Sequence, residues 1–280
     1  HHMEINMKIE SNFIITMQDY LLKVGKLIPP TKASLDRKAG ETLPFSCHVK
    51  YMIYALLSNQ EKWSNVERNL SKIDDVFFQY DVQKIKNRPW EYFYENIKPL
   101  VIRGLSLRGQ MQNLHKNIGT LESIHNNYKN GGLDGFVTSR PPREIVIKFT
   151  KDYKLKFMGV SLVCEYLKNV GVLCAKPDTH VMRFLSKTRR GFLPKNESFK
   201  HKNKQGKEIF QETTWSDPDK LLALEVIEKM SETSGMSPSD IDGIIWSYCA
   251  DDFGEICTKT PKCWKCVVED GCNYSAYSKK

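Results

Sequence analysis

Apolar residues recur at helical spacing along most of this chain and rarely alternate as in a half-buried strand. The spacing predicts an amphipathic helix over 13–28, closed by Pro29-Pro30, then a polar loop around 36–41. A strongly apolar helix is expected over 48–57, ending at Ser58-Asn59-Gln60, with helical period continuing through Val66, Leu70, Ile73, Val76 and Phe77. Further helices are expected over 90–98, stopped by Pro99, and over 107–128, where Leu114, Ile118 and Leu121 share a face. Asn130-Gly131-Gly132 and Pro141-Pro142 then punctuate the chain. Beyond a turn at Met158-Gly159 the pattern predicts helices over 161–169, from Asp178 onward, over 218–230 and over 238–250. The expected fold class is predominantly all-α.

One stretch departs from this pattern. Residues 187–207 carry eight Lys and Arg against one Glu, with little apolar period, and predict a basic loop or hairpin. The whole chain has 42 Lys and Arg against 33 Asp and Glu, a net charge of +9. That sign suits a polyanion, because each neutralised phosphate releases counterions. Anionic membrane surfaces, or no acidic partner at all, fit the charge as well. At 280 residues, 40% of them hydrophobic, there is material for one large domain or two small ones. No apolar run approaches the ~20 residues that span a bilayer, and the start has no signal-peptide layout. A cytoplasmic monomer without a membrane partner is expected.

Of eight cysteines, Cys47, Cys164, Cys174 and Cys249 are scattered among apolar neighbours and read as small buried hydrophobes. The other four form Cys257-x5-Cys263-x2-Cys266-x5-Cys272. Four thiolates on one tight loop suit a [4Fe–4S] cubane, whereas structural zinc more often takes two separated CxxC knuckles. Zinc and free thiols remain alternatives. Lys259, Lys262 and Lys265 lie between these cysteines.

The stretch from Ile256 to Asn273 resembles the cluster loop of endonuclease III and MutY, helix-hairpin-helix DNA glycosylases whose first gap is one residue longer. Residues 155–185 resemble the helix-hairpin-helix and Gly-Pro/Asp signature of that superfamily. Gly159 matches the second hairpin glycine, and Phe157 stands where the first would be, beside Met158. Asp178, nineteen residues after Gly159, matches the carboxylate that stabilises an oxocarbenium-like sugar or activates water. By itself it reads as an N-cap. Ser161 occupies the position where bifunctional members carry a Schiff-base lysine.

Leu56-Leu57-Ser58-Asn59-Gln60 resembles the segment whose glutamine fills the space left by a flipped nucleotide, making Gln60 the candidate plug; an exposed helix-end amide is the plain alternative. The 102–110 stretch resembles a DNA-facing turn, with Arg103 and Arg108 as phosphate contacts or simply solvated charges.

The resemblance spans roughly 45–275 and implies two helical subdomains flanking a DNA-binding cleft. The segments would be an N-terminal extension over 1–44 packing on the cluster-side subdomain, a helical barrel over 45–150, the hairpin and aspartate over 151–185, a basic insertion over 186–215, and the cluster helices and loop over 216–280. The implied partner is double-stranded DNA holding a damaged, mismatched or modified base. The implied reaction is monofunctional base excision by Asp178 and water, with a [4Fe–4S] cofactor. A bifunctional glycosylase with AP-lyase activity, and a non-catalytic iron–sulfur DNA-binding or redox-sensing protein, are the alternatives.

Overall fold

The computed structural model describes residues 12–59, 61–102, 104 and 106–274. It is predominantly helical, with 58% of residues in helices and 4% in strands. Contacts divide it into two compact units, one of residues 31–172 and the other of 1–30 with 173–280. These boundaries fall inside the expected 1–44 and 151–185 segments rather than at their ends.

The second of these units opens with α1 (Asn12–Lys23), which buries Ile14, Met17 and Leu21. The other unit follows, with α2 (Lys32–Lys38), α3 (Phe45–Leu57), α4 (Trp63–Glu67), α5 (Leu70–Val76), α6 (Val82–Lys86) and α7 (Trp90–Ile97). It continues with α8 (Leu107–Gln112), α9 (Leu114–Asn127), α10 (Gly132–Val137), α11 (Pro142–Thr150) and α12 (Val160–Asn169). Helix α3 is its centre, burying eight residues from His48 to Leu57 and packing on α12 and α10.

Several expected elements differ. The loop expected at 36–41 begins inside α2, which the Thr31 side chain caps by accepting from the Ser34 N–H. The helix expected over 107–128 is two helices. Asn113 breaks it by turning its own Nδ2 onto the Gly109 carbonyl at 2.8 Å, a local bond that competes with the helix. The periodicity through 66–77 is likewise split between α4 and α5. Pro142 opens α11 instead of interrupting the chain, because proline tolerates the first helical turn.

A buried chain of hydrogen bonds ties this unit together. The Tyr166 hydroxyl on α12 donates to His48 Nδ1 at 2.6 Å, and His48 Nε2 donates to Asp134 on α10 at 2.7 Å. Arg37 on α2 grips Asp134 with two nitrogens, at 2.6 and 3.1 Å, and donates to the Val170 carbonyl beyond α12. Burial favours neutral His48 and lowers its pKa despite Asp134.

In the unit of 1–30 and 173–280, α13 (Thr179–Leu185) is followed by the antiparallel strands β1 (Ser198–Lys202) and β2 (Glu208–Glu212). Then come α14 (Asp217–Ser234) and α15 (Pro238–Cys249), each opened by a capping box and an N-terminal proline. Helix α1 packs on α14 and α15, and Phe13 lies between Phe184, Phe192 and the Arg190 guanidinium. The basic segment supplies the first strand and the turn of this ribbon from Ser198 on, and the second strand lies beyond Lys207. No helix among the described residues is long and apolar enough to cross a membrane.

Candidate functional site

The cysteine loop starts from the end of α15. The chain folds back so closely that a Cβ on Gly254 would lie 2.0 Å from the Ser247 carbonyl oxygen, a position only glycine can fill. Backbone N–H groups of Ile256 and Cys257 then donate to the Tyr248 carbonyl, and Cys266 N–H closes a tight turn on Cys263. The result puts Cys257, Cys263, Cys266 and Cys272 around one recess, with Arg189 and Tyr274 also in its wall.

Two side chains fix the sulfurs from behind. Tyr248 donates to Cys266 Sγ at 3.3 Å while accepting from the Val267 N–H. Arg189, only 1% exposed, donates to Cys257 Sγ at 3.2 Å, to the Thr258 carbonyl and to Glu197. Hydrogen bonding from the buried Cys249 thiol, and then the Arg189 charge, outweigh burial and lower the Cys257 pKa to about 6. Cys263 is pushed up by burial and by the other three sulfurs. Cys249, expected as an inert core residue, is therefore a neighbour of the loop.

Among the described residues no three His, Cys, Asp or Glu side chains form a group that could hold a metal ion as they stand. A single zinc would need its thiolates on bonds of about 2.3 Å. Four cysteine sulfurs line one recess, with a buried arginine among them.

Asp178 sits at the N-cap of α13. Its Oδ1 accepts from the His180 and Val181 N–H groups at 2.9 and 3.0 Å. Its Oδ2 lies 3.5 Å from His180 Nδ1, and the side chain is 24% exposed. Burial alone would raise its pKa, but His180, the Val181 N–H and Lys176 outweigh burial and hold it below the usual range. The turn before it is anchored by buried Asp242 on α15, which accepts from the Lys176 N–H at 2.9 Å. His180 rests edge-on against Trp246.

In the unit of 31–172, three motif segments meet. Gln110 on α8 donates to the Leu56 carbonyl at the end of α3, and Asn59 donates to Ser106 at 3.4 Å. One residue along α8, Gly109 faces the Phe157 ring, so close that a Cβ there would meet it at 2.2 Å. Arg108 is exposed beside these, stacked near Trp90. Gln60 and Arg103 lie outside the described residues.

The hairpin itself is held from below. Buried Asn117 on α9 accepts from the Lys156 N–H at 2.7 Å and donates to the Lys156 carbonyl at 3.0 Å. Leu155 and Met158 are buried, whereas Phe157 is half exposed and adopts φ +61. Gly159 is exposed and extended, and α12 begins there without a side-chain cap, with Ser161 in its first turn. A helix N-terminus opened by an exposed glycine favours an anion. Asn117, Arg189, Tyr248 and His180 carry no sequence signal, since each acts through a partner distant in sequence or through a contact the helical period does not mark.

Compared with protein-family models, curated proteins and solved structures, the chain matches none.

Proposed function

We propose that this protein is a monofunctional DNA glycosylase of helix-hairpin-helix type that hydrolyses the N-glycosidic bond of a damaged, mismatched or modified base. The observation carrying this reading is Asp178. One of its oxygens is committed to the α13 N–H groups and the other faces His180 Nδ1 at 3.5 Å, while its pKa is depressed and the carboxylate stays ionised. A fixed negative charge of that kind stabilises positive charge as it develops on a sugar.

In this reading the C1′–N bond breaks with its electron pair leaving on the base. Water then adds to C1′ and its proton passes to Asp178, leaving an abasic site. With Ser161 in the first turn of α12, no amine stands at the position from which the resembled bifunctional enzymes form a Schiff base. The exposed Gly159 at the start of α12 supports backbone contact with a phosphate.

Cys257, Cys263, Cys266 and Cys272 would hold a [4Fe–4S] cluster, and the chemistry that cluster supplies is covalent cross-linking of an otherwise irregular loop. Arg189 and Tyr248 orient two of the ligands through their hydrogen bonds.

Single-turnover base release from a panel of modified duplexes tests the reading. Asp178→Asn is expected to lower release about 10²–10³-fold, the range for loss of a positioned charge-stabilising group, while duplex binding persists. Borohydride is expected to trap no covalent adduct. An unchanged release rate in Asp178→Asn refutes the catalytic role, and a trapped adduct refutes the monofunctional one.

A further inference from the structure

The β1–β2 ribbon is unlike the rest of the molecule. None of its ten strand residues is buried, on either face. A two-stranded hairpin in water is marginal by itself, yet this one has a well-defined tip. The Asn203 side chain accepts from the Gln205 and Lys207 N–H groups at 3.0 and 2.9 Å, and the Asn203 N–H donates to the Lys207 carbonyl.

Its chemistry is cationic and aromatic. Lys200 and Phe210 are cross-strand partners, with the Lys200 nitrogen 5.3 Å from the Phe210 ring, and Phe210 is 72% exposed. Among the described residues no ion pair engages Lys202, Lys204 or Lys207, whereas Glu212 is taken up by Lys259. Glu208, the cross-strand partner of Lys202, lies 4.0 Å from the Lys200 nitrogen, so Lys202, Lys204 and Lys207 outnumber the one carboxylate along the outer half of the ribbon.

A groove of about 850 Å³ is lined by residues of both strands and by Thr179 and Arg183. These two lie one turn apart on α13, and Thr179 directly follows Asp178. The groove thus has in its lining both the ribbon and the residue that follows the candidate carboxylate in the chain.

We propose that the ribbon is a second DNA contact, entering a groove of the duplex next to the nucleotide presented to Asp178. Phe210 lies against the groove wall, and Lys202, Lys204 and Lys207 sit on flanking phosphates. A two-stranded ribbon matches the width of the major groove. Exposure on both faces is what a ribbon placed between two phosphate backbones requires. This inference rests on the glycosylase reading for its choice of polyanion.

The test is fluorescence anisotropy of the full protein with a short, mixed-sequence, unmodified duplex, titrated across salt concentrations. The triple variant Lys202→Gln, Lys204→Gln, Lys207→Gln is expected to bind about tenfold more weakly or worse. Its log–log salt slope should be shallower by about 2–3, at roughly 0.9 for each phosphate no longer neutralised. Phe210→Ser is expected to weaken binding with the slope unchanged. Both variants should keep wild-type helical circular dichroism.

Variants that bind as the wild type does, with the same slope, overturn the inference and leave the glycosylase reading standing. A loss confined to single-stranded DNA overturns the groove assignment. A wild-type protein that binds no duplex overturns both readings together.

Discussion

Phe157 holds its backbone at φ +61, a region that costs an L-residue with a side chain about 1–2 kcal/mol. Glycine enters that region without the penalty, and here an aromatic residue holds it. What the ring gains is Gly109, whose missing side chain leaves room for it on α8. Asp178 was legible as a helix start because Pro-Asp before an apolar period is an N-cap signal, but the division of labour between its two oxygens was not. That division depends on His180 turning back toward it, which no spacing announces. The four loop cysteines were legible from spacing alone, whereas Arg189 as their buried cation lay hidden in a run that read as solvated charge. At this scale the cluster assignment is directly testable. Anaerobically purified protein is expected to show broad visible absorption that bleaches on reduction, and Cys266→Ser to lose most of it. Colourless protein carrying one equivalent of zinc refutes the assignment.

Among the elements, the helix-rich pattern was well marked for α1, α3, α7, α12, α14 and α15, whose apolar stripes are long and whose ends carry Pro, Gly or Ser signals. The short elements were not. Helices α2, α6 and α10 have five to seven residues, too few for periodicity to stand out. The break at Asn113 was invisible because α8 and α9 keep the apolar phase across it. The hairpin between α11 and α12 depends on one residue of a third element. Asn117 satisfies both backbone groups of Lys156, and removing it leaves a buried donor and acceptor with no partner. Asn117→Ala is expected to cost about 2–3 kcal/mol, from desolvation penalties of that size for unpaired buried groups. Urea denaturation measures it, and a midpoint shift worth under about 0.5 kcal/mol, the scale of a neutral surface change, would show that the clamp contributes little.

For the whole molecule, the division at Pro30 and Val172 returns the chain to the company of its own N-terminal helix. Within the unit of 31–172, the Arg37, Asp134, His48 and Tyr166 chain ties α2, α3, α10 and α12 into one body. Its pH dependence follows from His48. Folding lowers that pKa, so the folded histidine stays neutral while the unfolded one takes up a proton near pH 6.5. The contribution is complete above that pH and is lost as the pH falls through and below it. The thermal midpoint of this unit is therefore expected to fall on acidification from pH 7.5 to about 5.5. His48→Gln should flatten the dependence, and an equal slope in that variant would remove His48 as its source.

By itself the sequence determined the helical class, the cysteine spacing and the candidate aspartate, because period, ligand spacing and caps are local properties written in consecutive residues. Tertiary structure alone decided that Leu56, Gln110, Gly109 and Phe157 meet, that Cys249, Tyr248 and Arg189 brace the sulfurs, and that Arg189 turns inward from a basic run expected as a loop or hairpin. Those outcomes depend on which buried donor finds which acceptor across 50 or more residues, a matter of packing that no local pattern encodes.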